Sequence, residues 1–96
     1  MTLKNQLNDS LKDAMKSGDE VRKRTLRMAL AAVKQAEVEK RIELDDTAVM
    51  ALLQKEIKNR REALAEAQKA NRADLIAANE TEIQIIETFL PKAMPA

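Results

Sequence analysis

Apolar residues return at helical intervals along almost the whole of this chain, and the pattern is interrupted at only three places. Leu3, Leu7, Leu11 and Met15 recur every four residues, which predicts a first helix over about 3–16. Ser17-Gly18 stops it, because glycine takes the left-handed backbone at a helix end without steric cost. Asp19 is then placed to cap a second helix over about 20–41. Val21, Leu26, Ala29, Leu30, Ala32, Val33 and Ala36 form its apolar face. The second interruption lies in RIELDDTA, where Asp45 or Asp46 can cap a third helix over about 46–70. Val49, Met50, Leu53, Ile57, Leu64 and Ala67 are its inward residues. Asn71 is the third stop, with a fourth helix over about 72–88. Leu75, Ile76, Ile83, Ile86, Phe89 and Leu90 face inward there, and Pro91 ends it.

Composition agrees. Gly18 is the only glycine, Phe89 the only aromatic residue, and both prolines lie near the C-terminus. A β-rich domain of this size needs more turn residues and more aromatic or β-branched strands. The expected fold is all-α: four antiparallel helices arranged as two helical hairpins, because short connections make neighbours antiparallel. At 96 residues the chain is expected to form a single domain over 1–96.

The chain has no cysteine and no histidine. Thiol nucleophiles, disulfides, Cys/His zinc sites and a neutral imidazole base are therefore excluded. Glu37 and Glu39 do not share a helix face, Asp45-Asp46 reads as a helix start, and Ser10 and Ser17 have no histidine to activate them. No catalytic set, cofactor site, metal site or small-molecule substrate is evident. No apolar run approaches the ~18 residues that span a bilayer, and MTLKNQLNDS is no signal peptide. A soluble, cytosolic protein that does not engage a membrane is expected.

Charge is unevenly spread. Residues 21–41 carry seven basic and two acidic side chains, whereas residues 74–87 carry four acidic and no basic ones. Lys23, Arg27, Lys34 and Arg41, spaced 4, 7 and 7 residues apart, form a cationic ridge on the second helix. Lys55, Lys58, Arg60 and Arg61 crowd seven positions of the third. Arg60 differs from its neighbours: at about 100° per residue it falls within about 20° of Leu53, on the apolar face that Leu53 shares with Leu64. Glu82 falls between Phe89 and Leu75. Each lies eleven residues from Asn71, so an antiparallel hairpin places them side by side. A structural Arg60–Glu82 ion pair that sets the register of the two helices is expected. Asn79 lies near the same seam and reads as a hydrogen-bonded interface residue. Lys55, Lys58 and Arg61 read as a solvated face, with Lys58–Glu62 at pairing distance along the helix. The competing reading joins them to the Lys23, Arg27 and Lys34 ridge as phosphate contacts. Without Tyr or Trp, such contact would be guided by shape rather than by base stacking.

VRKRTLRM at 21–28, LQKEIKNRREAL at 53–64 and EIQIIETFLPK at 82–92, in this order and spacing, resemble the GatB/YqeY family, and in particular its small stand-alone YqeY-type members. The resemblance covers residues 3–92. It implies kinship with the C-terminal helical region of the B subunit of aminoacyl-tRNA amidotransferase. That enzyme amidates Glu-tRNA(Gln) or Asp-tRNA(Asn) with glutamine as nitrogen donor and ATP, hence the family label of carbon–nitrogen ligase with glutamine as amido-N-donor. The chemistry belongs to another domain of that subunit, and the helical part helps to hold tRNA. Family members usually continue beyond Leu90-Pro91-Lys92 into a helical tail domain, and this sequence runs to Ala96. The resemblance together with the cationic ridge points to a non-catalytic module that binds tRNA or an amidotransferase-like partner, with Lys23, Arg27, Lys34, Lys55, Lys58 and Arg61 of the basic face as the expected contacts. A protein-interaction or self-assembly module without RNA binding is the alternative. Amidotransfer by the chain itself is opposed by its lack of a glutaminase nucleophile and of a phosphate-binding loop.

Overall fold

The computed structural model describes residues 2–91. It contains four helices: α1 (Leu3–Ser17), α2 (Glu20–Lys40), α3 (Asp46–Lys69) and α4 (Ala73–Glu87). Three of them begin with a side-chain cap. Thr2 accepts from the Asn5 N–H, Asp19 from the Arg22 N–H and Asp45 from the Ala48 N–H, so each satisfies a donor that has no partner within its helix. At α4 the Arg72 side chain gives no such bond.

Gly18 ends α1 with φ 74°, and the N–H groups of Gly18 and Asp19 both donate to Ala14 O. Asn71 makes the α3–α4 turn with φ 57°. Arg41 also stands at φ 57°, so α2 stops at Lys40 and Arg41 leaves the ridge expected to run through it. Leu44, in the 41–45 connection, is buried and plugs that end of the bundle.

α1 packs along α2, and α3 along α4. The Arg61–Glu87 contact fixes the second pair as antiparallel, and the Lys4–Glu37 contact does the same for the first. α4 also lies on α2, and both α1 and α2 touch α3, whereas α1 and α4 do not approach one another. The core draws on every helix through Leu3, Leu7, Leu26, Ala29, Val33, Val49, Leu53, Ile57, Ile83 and Ile86. Each of the Leu, Val and Ile side chains among these contributes roughly 1.5–3 kcal/mol relative to full exposure. Thr25 is buried among them, its hydroxyl donating to Val21 O at 2.8 Å.

Two inward assignments are corrected. Met15 is 53 % exposed and Ala14 fully buried in its place. A four-residue step overshoots the helical turn by about 40°, so three steps carry Met15 about 120° from Leu3, whereas Ala14 returns to Leu3's side. Leu75 is also exposed: it sits in the first turn of α4, and Ile76 beside it takes the half-buried position.

Candidate nucleic-acid interface

Two polar constructions hold the bundle and determine which cations remain outside. The first is a charge cluster where α2, α3 and α4 meet. Arg60, with only 8 % of its side chain exposed, donates from Nη1 to Glu56 Oε2 at 2.9 Å. Its Nε lies 3.7 Å from Glu82 Oε2, across the α3–α4 seam, and has no hydrogen-bond partner. Arg24 of α2 approaches Glu82 Oε1 at 3.6 Å, and Arg60 Nη2 stands 3.9 Å from the Met28 sulfur. Arg60 and Glu82 are thus neighbours, but the close partner of Arg60 is Glu56 on its own helix. The i, i+4 spacing of Glu56 and Arg60 was the signal that could have found it. Asn79 is half-buried but donates to Leu75 O of its own helix at 2.9 Å, an exposed bond, rather than across the seam as expected.

The second construction ties α1 to the α2–α3 connection. Glu37 Oε2 accepts from Lys4 Nζ and from the Leu44 N–H, both at 2.8 Å. The Lys4 bond, followed by the Leu44 bond, holds the Glu37 carboxyl below the usual carboxylate range. Reciprocally, the hydrogen bond from Glu37 raises the Lys4 ammonium above its ordinary value. Asp46 Oδ1 accepts the otherwise unpaired Leu3 N–H at 2.9 Å, so a residue of α3 caps α1.

The six candidate phosphate contacts are all at the surface, half-buried Lys23 included, but they differ in availability. Lys23 is engaged by Glu20 at 3.0 Å and Arg61 by Glu87 at 3.4 Å. Among the described residues Arg27, Lys34, Lys55 and Lys58 make no ion pair, and Lys58 does not reach Glu62. The cations also occupy separate grooves. Lys34 shares a concavity with Glu37, Val38, Arg41, Ile42 and Glu43 at the C-terminal end of α2. Lys55 lines the α2–α3 groove beside Gln35, Glu39 and Asn59, and Arg61 lines the α3–α4 groove with Gln54, Ile57, Glu87 and Leu90. Val38 and Ile42 are bulky aliphatics standing more than half exposed beside Lys34 and Arg41, a feature the periodicity did not single out. Among the described residues no group of Asp and Glu side chains is arranged to hold a metal ion, and no helix is long and apolar enough to cross a membrane.

A small all-α module with a buried charge cluster and a partly neutralised basic surface is thus the class defined by the coordinates. The chain belongs to the YqeY-like protein family, whose model matches residues 4–96. It is 38 % identical over 85 residues to the mitochondrial protein named Altered inheritance of mitochondria protein 41 of Lachancea thermotolerans, covering 88 % of this chain and 46 % of that relative. The protein of the same name in Vanderwaltozyma polyspora is 32 % identical over 85 residues, with the same coverage. An uncharacterized protein of Schizosaccharomyces pombe is 33 % identical over 86 residues, covering 90 % of this chain and 70 % of the relative. The chain thus spans less than half the length of the first two. The expected cytosolic location is corrected by these comparisons, since relatives from four organisms carry mitochondrial names. A chain with no cysteine, and with no spanning helix among the described residues, is compatible with a mitochondrial compartment as much as with cytosol, so composition could not separate them.

Proposed function

We propose that the chain is a non-catalytic helical module that binds tRNA through the cationic edge of α2, within the amidotransferase-type systems implied by its family resemblance. The observation that carries this reading is the state of Arg27 and Lys34. Seven residues apart, they stand exposed, free of carboxylate partners, on a helix anchored from behind by Leu26, Ala29 and Val33. Arg41 extends the positive potential past the helix end. Lys55 and Lys58 of α3 supply further unpaired charge, whereas Lys23 and Arg61 contribute only on leaving Glu20 and Glu87. Contact of this kind is made to phosphates and follows the shape of folded RNA.

The test is a titration of the full chain with bulk tRNA. Binding at low ionic strength that falls steeply as salt is added, and that weakens in the double variant R27Q/K34Q, is the expected result. No binding at low ionic strength overturns the reading.

A second reading is favoured by Val38 and Ile42. Exposed branched aliphatics bordered by Lys34 and Arg41 suit a protein partner with an acidic, apolar helix. Under that reading V38D/I42D abolishes co-purification with the partner and leaves tRNA binding intact.

A further inference from the structure

With no cysteine in the chain, reversible sulfur oxidation falls to its five methionines. Met15 and Met28 are the exposed ones among the described residues, at 53 % and 50 %. They differ in surroundings. Met28 places its sulfur 3.9 Å from Arg60 Nη2, and no comparable donor is recorded at Met15. Arg60 is buried, its Nε has no hydrogen-bond partner, and among the described residues its Nη2 hydrogen-bonds to a thioether, one of the weakest acceptors in proteins. A buried guanidinium is therefore aimed at the oxidisable sulfur of a half-exposed methionine.

We infer that Met28 is a peroxide-responsive modification site, at which sulfoxide formation tightens the α2–α3 contact instead of loosening it. The thioether sulfur attacks one oxygen of a hydroperoxide; the S–O bond forms as the O–O bond breaks. For hydrogen peroxide the departing hydroxide takes the proton of the transferred oxygen and leaves as water. The sulfur loses two electrons and the peroxide gains them. The sulfoxide oxygen is a strong acceptor, and Arg60 Nη2 is a charged donor already pointing at it, so a weak contact becomes a charge-assisted hydrogen bond. Oxidation of a methionine that packs only against apolar atoms has the opposite effect, because it buries a polar group without a partner.

The experiment compares the full chain carrying Met15→Leu with the same chain carrying Met15→Leu and Met28→Leu. Both are treated with hydrogen peroxide, and oxidation of Met28 is verified by peptide mass spectrometry. The remaining methionines react equally in both, so the difference in thermal shift reports Met28 alone. A midpoint raised by a few degrees in the Met28-containing chain relative to its control is expected. Met28→Gln, which presents a carbonyl at similar reach, reproduces part of the rise without peroxide. No relative rise, or a relative fall, overturns the inference.

Discussion

Arg60 is one of two buried polar or charged residues among those described, and the account of α3 turns on how it is satisfied. Glu56 supplies the short bond at 2.9 Å and Glu82 the longer approach at 3.7 Å, so either carboxylate can partly replace the other. Glu56→Ala should therefore cost about 1.5–3 kcal/mol, the range for a hydrogen bond to a charged group, and Glu82→Ala less. The double variant should exceed the sum of the two, because it leaves a buried charge with no carboxylate, where losses reach roughly 3–5 kcal/mol. Urea unfolding of the four-member cycle checks this, and strictly additive losses would count against it. The Arg60–Glu82 proximity was legible in the sequence, since it needs only helical phase and a turn at residue 71. Arg24 was not, because its approach to Glu82 depends on how α4 lies on α2, and no single-helix pattern encodes that crossing. The exposed Val38 and Ile42 were not singled out because neither belongs to the apolar stripe: Val38 lies in α2 well off the phase of Leu26, Ala29 and Val33, and Ile42 lies beyond the helix end at Lys40.

At the level of elements, the breaks decide the architecture. Gly18 and Asn71 were readable because both residue types favour the left-handed region that their turns require. Arg41 has no such preference, and its φ of 57° appears only once Leu44 is seen to be buried behind it. A Cβ at position 18 meets no atom within 4 Å, so Gly18→Ala isolates the backbone effect. It should lower stability by roughly 1 kcal/mol through the left-handed φ alone, measured by thermal or urea unfolding. The Glu37 clamp gives a pH signature. Its folded-state pKa is lowered, so its stabilisation is complete above the unfolded value of about 4.3 and disappears as pH falls through the lower folded value. Lys4, with a raised pKa, acts in the opposite window: its stabilisation is complete below the ordinary lysine value and is lost as pH rises through the folded one. Glu37→Gln should flatten the acid side of the stability profile relative to the parent chain. Superimposable profiles of unfolding midpoint against pH, from neutral to about pH 2, would remove the clamp from the account.

Across the whole molecule, α1 and α4 lie apart, whereas the basic stretch in α2 and the acidic α4 pack against each other and meet at Arg24 and Glu82. Helix phase correctly put the candidate cations on the outside. The i, i+3 spacing of Glu20 and Lys23 could have shown that pair, but phase could not tell that Glu87 holds Arg61 or that the α2 and α3 cations line separate grooves, because both depend on helix crossing. If tRNA follows the α2 edge, only cations that touch phosphate should alter the ionic-strength dependence of binding. The most direct measurement is the slope of log K for tRNA against log salt, taken for the parent chain, R27Q/K34Q and K69Q. Lys69 serves as control, since it lies in the last turn of α3 beside Glu66. The expected result is a slope reduced in magnitude by roughly 2 in R27Q/K34Q, about one unit per lost phosphate contact, and unchanged in K69Q. An undiminished slope in R27Q/K34Q would contradict the assignment of RNA contact to α2.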